Sequence, residues 1–558
     1  MSKGESTIKE NGRETSSSLI ELLENLSSRN LIKGLVYASS IIFFIAIILL
    51  PPIFGILLKI RHFTEIYMNP ELLGRANSAI FWSFALAFIV SSLDLIAGLP
   101  LAWFIVRSKS RLINVIDTLA DVPFLIPTAA LGYSSLLFWS KPEGLPALLG
   151  LEGLVPPGLI LVALLHFTFS FPVIVRVMVG ELLGYKEVYE IAARTLGAKP
   201  LTAVRTITLP LLKPGLIASF LLAFSRSLSE TGATVMVAGQ FENGPIFIYN
   251  NQGLEAPLVY VSSILIASSV TVFFLIRLFA PKIKVPLRRV WPDLEGKLSS
   301  SIAITSRDAL TLSVFFLFII APSLFIALPF AAALTDGTLN EALSGSGPWK
   351  SFWNSMALSY SIGILATLIN ILTGLPIAVA IAREKAGRLT PIIDALVNIP
   401  IVVPSIALGV SLRFFWGSFG SVIIPEYVIL VLSHTTITYT YFVRSMAAAI
   451  ESIPKDLEEV ASTLGAHSFT IFRRITLPLT KYSAFSGAVL TFTRSVGETG
   501  AAKAASIYLK TAPVLLVEWV KAGPEVITPS TRALGVGILI LASFAALLVL
   551  RTIVREKR

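Results

Sequence analysis

Long apolar stretches alternate with short polar segments along most of the chain. About twelve of these stretches reach the roughly 20 residues that an α-helix needs to cross the hydrocarbon core of a bilayer. Their approximate positions are residues 33–58, 76–106, 112–139, 157–180, 214–238, 258–280, 309–334, 353–382, 391–416, 428–450, 483–505 and 531–552. The pattern predicts an all-α polytopic membrane protein with about twelve transmembrane helices.

The first six stretches resemble the last six in their order and in their details. A proline pair, Pro123 and Pro127, is matched in the second half by Pro400 and Pro404, with the same spacing. Six crossings return a chain to the side from which it started, so both copies would have the same orientation. The sequence therefore predicts two parallel six-helix repeats about an axis along the membrane normal.

The repeat suggests a division of the chain into four segments. The expected boundaries place an N-terminal tail at residues 1–32, the first membrane half at 33–280, a linker at 281–308 and the second membrane half at 309–558. The tail and the linker are polar or rich in proline and basic residues, and both would lie on the same side of the membrane.

Composition and charge give this arrangement an orientation. Hydrophobic residues make up 54% of the chain and charged residues only 14%, whereas a soluble protein carries about a quarter charged residues. The net charge of +11 could suggest nucleic acid, but 30 of the Lys and Arg residues fall in segments on one side of the spans and 9 on the other. By the positive-inside rule the basic side is cytoplasmic. We therefore expect a protein of the cell (cytoplasmic) membrane with both termini in the cytoplasm and no nucleic-acid partner.

One polar stretch occurs once in each half, on the predicted cytoplasmic side. It reads EIAARTLG over residues 190–197 and EEVASTLG over residues 458–465, and in both copies nine residues separate the glycine from an ITLP sequence. A glycine readily adopts the left-handed conformation that ends a helix, so a short helix over residues 186–196, a turn and a second short helix are expected. Such a duplicated loop suggests a soluble partner. The alternative is a surface hairpin without one.

This stretch resembles the EAA loop of the membrane subunits of ATP-binding-cassette (ABC) importers. That motif reads Glu-Ala-Ala, three residues, glycine, nine residues and Ile-x-Leu-Pro. The residues assigned to the two loops are Glu190, Ala192, Ala193, Gly197 and Pro210 in the first half, and Glu459, Ala461, Gly465 and Pro478 in the second. Two positions depart from the motif: Ile191 stands where it has glutamate, and Val460 replaces its first alanine. A Glu-Thr-Gly-Ala segment at residues 230–233 and 498–501 is similar to one in permeases for molybdate, sulfate, thiamine and iron(III).

The resemblance implies the type I ABC importer permease fold and the partners that go with it. This chain would form the translocation path and couple through its two loops to two cytoplasmic ABC ATPase subunits, while a substrate-binding protein docks on the extracytoplasmic side. The sequence contains no phosphate-binding loop of the Gly-x-x-x-x-Gly-Lys-Ser/Thr type. We therefore expect a non-catalytic subunit without a cofactor of its own, with ATP and magnesium bound by the partner subunits.

Ionisable residues inside the fifth span of each half suggest the position of the path. A charge in lipid is costly, so these residues should face the interior, and a spacing of four would let each Arg–Glu pair lie on one helix face. The residues assigned to the path or its gate are Arg226, Glu230, Gly232, Arg494, Glu498 and Gly500. The alternative is ion pairs that only satisfy each other. His166 and His434 have no nearby carboxylate or cysteine in the sequence, so hydrogen-bonded core residues and no metal site are expected.

Three questions about function stay open at this level. The substrate could be iron(III), an oxyanion such as molybdate, tungstate or sulfate, or thiamine, because both signs of charge occur in the path. A sugar-type ABC importer permease is a second possibility. The third is an ion-coupled secondary transporter with duplicated halves, which would have no need of two docking loops.

Overall fold

The computed structural model describes residues 29–108, 112–279, 282 and 291–554. Of the tail expected at residues 1–32, all but the last four residues lie outside these ranges. Of the linker expected at 281–308, the described residues are 282 and 291–308. Every regular element in the described part of the chain is helical.

The helices of the first half are numbered in chain order. They are α1 (Asn30–Phe43), α2 (Leu50–Leu58), α3 (Pro70–Arg107), α4 (Ile113–Leu119), α5 (Val122–Leu125), α6 (Thr128–Ser140), α7 (Leu145–Leu149), α8 (Leu159–Gly184), α9 (Val188–Thr195), α10 (Pro200–Ala203), α11 (Leu209–Leu211), α12 (Lys213–Ser229), α13 (Gly232–Val237), α14 (Gly244–Asn250) and α15 (Glu255–Phe279).

The helices of the linker and the second half follow. They are α16 (Pro292–Leu298), α17 (Ser301–Val314), α18 (Ala321–Leu324), α19 (Ala327–Ala333), α20 (Thr338–Ser344), α21 (Trp349–Ala382), α22 (Thr390–Leu396), α23 (Ile399–Val402), α24 (Ser405–Gly417), α25 (Glu426–Glu451), α26 (Lys455–Thr463), α27 (Ser468–Ile471), α28 (Leu477–Val496), α29 (Gly500–Ala505), α30 (Ala512–Lys521) and α31 (Pro529–Val554). Short π-helical turns connect α1 to α2, α10 to α11, α17 to α18 and α27 to α28.

The helices account for the predicted spans and form an all-α membrane protein of two repeats. Seven are long and apolar enough to cross a bilayer, and three bent pairs bring the number to ten. The two remaining predicted spans correspond to α25 and to α28 with α29, which are rich in threonine and serine and therefore less apolar. Helix α25 is the equivalent of α8, and α28 is the equivalent of α12. Helices α25 and α28 therefore complete the second repeat.

Two of the spans are broken at the second proline of each predicted pair. The segments Ile113–Leu125 and Thr128–Leu149 meet at 107°, and Gly387–Val402 and Ser405–Gly417 meet at 103°. The residue before a proline is pushed out of the helical region, and Ile126 (ψ 127°) and Val403 (ψ 137°) are extended accordingly. These breaks place non-helical backbone within the membrane-spanning part of each half.

The first span of each half packs against the other half. Phe44, which follows α1, stacks on Tyr439 of α25 with ring centroids 5.6 Å apart. Correspondingly, Phe315, which follows α17, stacks on Phe171 of α8 at 6.3 Å. The chain thus crosses over itself, and the two halves are interlocked.

A serine from the opposite half is inserted into each exchanged span. Ser411 Oγ donates to the carbonyl oxygen of Pro52 at 2.6 Å and accepts from the N–H of Ile56 at 3.0 Å. Ser134 makes the same two bonds, to Pro322 and from Ile326, at 2.6 and 3.0 Å. A side chain inserted between residues i and i−4 satisfies backbone groups that lipid could not. The crossover is therefore held by hydrogen bonds as well as by packing.

Candidate functional site

Each of the repeated loops is a short helix ended by a left-handed glycine. Gly197 follows α9 with φ +91° and Gly465 follows α26 with φ +85°. In the first loop the N–H of Ala198 donates to the carbonyl of Ala193 and that of Gly197 to the carbonyl of Arg194, at 3.1 and 3.0 Å. These two bonds form the Schellman motif, and the second loop repeats both. The geometry follows from local sequence alone.

An apolar surface is exposed on both loops. Leu196 and Leu464, at equivalent positions, keep 89% and 83% of their accessible surface. The other exposed apolar residues of the two loops are Val188, Tyr189, Ile191, Leu457 and Val460. Ala192 is also exposed and Ala193 partly so. Clustered exposed apolar side chains on a loop of a folded protein are typical of a docking surface.

A carboxylate anchors each loop to the end of a long span. Arg383, at the end of α21, binds Glu458 at 2.9 Å, and Thr476 donates to the same carboxylate at 3.0 Å. In the first half Arg107, at the end of α3, approaches Glu190 at 3.7 Å and Glu187 at 2.5 Å. The anchor in the second loop is thus Glu458, whereas Glu459, the residue assigned from the motif, is exposed.

Sequence reasoning missed the two arginines and Glu458. The repeat contained the signal. Arg107 and Arg383 each follow by seven residues the proline of a Gly-Leu-Pro sequence, Pro100 or Pro376, and Glu458 aligns with Glu190. A motif that names only the loop cannot show that a span about 75 residues earlier supplies the counter-ion. These anchors join each loop to the second span of its half, α3 or α21.

The pKa values of the two anchors shift in opposite directions, which predicts unequal effects of neutral substitutions. Burial raises the pKa of Glu190 more than Arg107 and Arg194 lower it. Burial also acts to raise the pKa of Glu458, but hydrogen bonds from Arg383 and Thr476 and the charge of Arg383 outweigh it and hold that pKa below its usual range. Glu458→Gln should therefore cost about 1.5–3 kcal/mol of unfolding free energy at pH 7, and Glu190→Gln less than about 1 kcal/mol. Thermal unfolding in detergent measures both.

The dependence on pH has opposite signs at the two positions. A depressed pKa gives stability that is present above the unfolded pKa, about 4.3, and is lost as the pH falls through the folded value. The raised pKa of Glu190 gives stability that is present below the unfolded value and is lost as the pH rises through the folded one. The penalty of Glu458→Gln should shrink in acid. A larger penalty for Glu190→Gln at pH 7 would contradict this assignment.

Four helix breaks meet between the two halves. Ser405 Oγ, just after the break between α23 and α24, donates to the carbonyl of Ser229 at 3.3 Å, where α12 ends. A Cβ atom added at Gly497, where α28 ends, would lie 3.7 Å from Cα of Pro127, at the break between α5 and α6. Each break thus contacts one in the opposite half, around the pseudo-two-fold axis.

The closest approach on this axis is between glycine and threonine. A Cβ atom added at Gly232 would lie 2.5 Å from Cβ of Thr499, and one added at Gly500 would lie 2.6 Å from Oγ1 of Thr231. Real Cβ atoms essentially never lie closer than 3.0 Å to an atom that is not bonded to their residue. Glycine is therefore required at both positions for the halves to close on each other.

The contact seals one end of the interface. Residues 227–238 and 495–502 are all buried, whereas Arg226 and Arg494, just before them, are partly accessible. Helices α12 and α28 start beside the repeated loops, so both arginines lie on the loop side of the seal. The interface is closed at the helix breaks, on the side of the arginines that faces away from the repeated loops.

The predicted Arg–Glu pairs form in one half only. Arg494 binds Glu498 at 2.8 Å. Arg226 instead lies over the ring of Phe169 at 5.6 Å, and Glu230 has an extended backbone (ψ 129°). Both glutamates accept from the next helix, Glu230 from the N–H of Ala233 at 3.3 Å and Glu498 from that of Ala501 at 3.1 Å. A carboxylate at a helix N-terminus is favoured by the helix dipole.

The two histidines are hydrogen-bonded within the core. His166 contacts Ser227 at 2.8 Å and Thr234 at 2.9 Å, and His434 contacts Ser495 at 2.9 Å. Within the described ranges, no group of three or more His, Asp and Glu side chains is arranged to hold a metal ion. The histidines therefore brace the fifth span against the fourth in each half.

Comparison with known proteins gives one family twice. The family described as "Binding-protein-dependent transport system inner membrane component" matches residues 94–285 and 374–555. Each match contains one repeated loop and one Glu-Thr-Gly-Ala segment. The family model therefore finds the same duplication that the apolar pattern predicts.

Individual relatives match over part of the chain. The molybdenum transport system permease protein of Mycobacterium tuberculosis is 33% identical over 174 residues, which are 27% of this chain and 65% of the relative. The sulfate transport system permease protein of Salmonella typhimurium is 29% identical over 222 residues, 38% of this chain and 78% of the relative. The molybdate/tungstate transport system permease protein of Pyrococcus furiosus is 33% identical over 156 residues, 28% and 61%. The match spans less than two thirds of the length of the first and third of these relatives.

Proposed function

Because the chain belongs, through both of its halves, to the family of binding-protein-dependent transport system inner membrane components, we propose that it is the membrane permease of an ATP-driven importer. In this proposal the chain catalyses no reaction. It forms the translocation path between its two halves, and soluble partner subunits bind and hydrolyse ATP with magnesium.

The observation that carries the proposal is the pair of exposed apolar loops. Two equivalent surfaces, each ended by a left-handed glycine and anchored to a long span, suit two copies of one kind of partner. The proposed partners are two ABC ATPase subunits, each with a cleft that receives Leu196 or Leu464. Closure of the ATPases would move the loops, and Arg107 and Arg383 would pass that movement to α3 and α21.

The proposed orientation puts the loops in the cytoplasm. The excess of Lys and Arg on the loop side supports it. A substrate-binding protein would then dock on the opposite face, where residues 239–257 and 503–532 emerge from the sealed ends of the fifth spans. The closed contact between Gly232 and Thr499 would be the gate that opens towards this binding protein.

The proposed substrate is a tetrahedral oxyanion such as molybdate, tungstate or sulfate. The relatives described above, which are permeases of molybdenum, sulfate and molybdate/tungstate transport systems, support this class over iron(III) and thiamine. A sugar-type permease is not favoured by any of the contacts described above, and an ion-coupled carrier would leave the two docking surfaces without a purpose.

Purification with partners is the experiment that tests the proposal. The tagged chain, extracted from its native membrane in mild detergent, is expected to bring an ATPase with it at two copies per permease, as measured by mass spectrometry of the intact complex. Uptake of tungstate by liposomes that contain this complex should require ATP and the binding protein. A chain that purifies alone and moves solute under an ion gradient would refute the importer assignment.

A further inference from the structure

Four hydrogen-bond donors at the gate are buried without a partner among the described residues. They are the hydroxyls of Thr231 and Thr499 and the Nε atoms of Arg226 and Arg494. Buried donors are nearly always paired, because leaving one unpaired is costly. Four such groups in equivalent positions of the two halves require an explanation. A ligand that arrives during transport would supply the acceptors that these donors lack.

The acceptors of the same region are already used. Glu230 and Glu498 each accept from a backbone N–H of the following helix, and Glu498 also pairs with Arg494 at 2.8 Å. Arg226 has no carboxylate within ion-pair distance in the described part of the chain, and its guanidinium lies over the ring of Phe169 at 5.6 Å. The groups left without a partner are therefore hydrogen-bond donors, and one of them belongs to a guanidinium that has no ion pair. An anion can accept from such donors, whereas a cation such as iron(III) or thiamine cannot.

The arrangement of the donors also has a symmetry. The two threonines lie in the closed contact, each beside the glycine of the other half. The two arginines lie further towards the loop side, since each precedes its threonine by five residues in the chain. A tetrahedral oxyanion has two-fold axes that divide its four oxygens into two pairs. One pair of oxygens would face the hydroxyls and the other pair the guanidinium groups.

We propose that Thr231, Thr499, Arg226 and Arg494 form a transit site for a tetrahedral oxyanion on the pseudo-two-fold axis. The site rests on the proposed function and adds the residues that recognise the substrate inside the permease. As the gate opens, the hydroxyls donate to the anion in place of the water that it sheds, and the arginines then receive it on the loop side. Capture by the binding protein precedes this step, so the site acts on the rate of passage and not on the concentration that saturates uptake.

The test uses the whole importer, with its ATPases and binding protein, in liposomes, and measures the uptake of tungstate by mass spectrometry. The double variant Thr231→Val/Thr499→Val keeps the shape of both side chains and removes both hydroxyls. Its kcat should fall by at least about tenfold, the effect of losing a hydrogen bond to a charged group, with KM unchanged. Thr231→Ser/Thr499→Ser restores the hydroxyls and should restore most of the rate.

Two further variants separate recognition from folding. Thr367→Val removes another buried hydroxyl that has no partner among the described residues, far along the chain in α21, and should transport like the wild type. Arg226→Gln breaks no described ion pair and should also lower kcat. It serves as the second probe of the site if the double valine variant does not assemble.

The outcomes distinguish this inference from the function on which it rests. Normal kcat in both the double valine variant and Arg226→Gln, with tungstate uptake by the wild type intact, would overturn the transit site alone. A loss in the serine variant and not in the valine variant would show that the threonines act by packing, and would overturn it as well. A wild-type complex that takes up neither tungstate, molybdate nor sulfate would overturn both the site and the proposed substrate class.

Discussion

Gly232→Ala and Gly500→Ala are expected to leave the gate unsealed. Each adds a Cβ atom that would lie 2.5 to 2.6 Å from a threonine side chain of the opposite half, and the nearest atoms include the threonine Cβ, which cannot rotate away. Overpacking of this kind costs about 1–3 kcal/mol. Because the clash exists only in the closed contact, this cost falls on the closed state and shifts the equilibrium towards the open one by roughly 5- to 150-fold.

Leakage and ATPase activity measure the effect. Liposomes that contain the importer with either variant should release trapped tungstate without ATP, and ATP hydrolysis should no longer depend on the binding protein. Gly180→Ala in α8 is the matched control, because a Cβ atom there would have no atom within 4 Å. Tight liposomes with normally regulated hydrolysis in both gate variants would show that this contact is not the seal.

Gly197→Val and Gly465→Val are expected to uncouple the ATPases from the path. Both glycines have φ near +90°, a region that costs a non-glycine residue about 1–2 kcal/mol and a β-branched residue more. No atom lies within 4 Å of a Cβ atom added at either position, so the penalty is conformational. The loop relieves it by leaving the Schellman geometry, which turns Leu196 or Leu464 away from its partner. ATP-driven uptake should fall by at least about tenfold, a loss of about 1.4 kcal/mol in coupling.

A third glycine provides the control for this experiment. Gly345 ends α20 in the same motif, with φ +69° and with bonds from Gly345 and Ser346 to Ala342 and Glu341. It lies in a segment on the other side of the membrane from the repeated loops. Gly345→Val therefore carries the same backbone strain and should leave uptake unchanged. If it reduced uptake as strongly as Gly465→Val does, strain on the fold would explain both and the loops would lose their coupling role.

The helices and the loop turns could be predicted because their causes are local. The apolar stretches are long enough to require helices in a bilayer, and ten candidate spans, with the two more polar ones, fall at the predicted positions. The left-handed turns at Gly197 and Gly465 need only a glycine after a short helix. The breaks after Ile126 and Val403 follow from the proline that comes next.

The site was predicted only in part, because its contacts depend on how helices meet. A spacing of four suggests an ion pair in each half, but only Arg494 and Glu498 form one. The helix ends before the glutamate in both halves, so the spacing does not decide the outcome. The motif points to Glu459, whereas the anchor is Glu458, since only its carboxylate meets Arg383 of a distant span.

By itself the sequence determined the membrane class of this protein, its duplication and the shape of its two loops, since each depends on hydrophobicity or on backbone preferences within a few residues. Only the tertiary structure decided that the first spans exchange halves, that glycine faces threonine across the axis and that four donors at the gate are left without partners. Each of these is a contact between segments more than 100 residues apart or the result of one, and periodicity along a chain carries no information about which distant segments will touch.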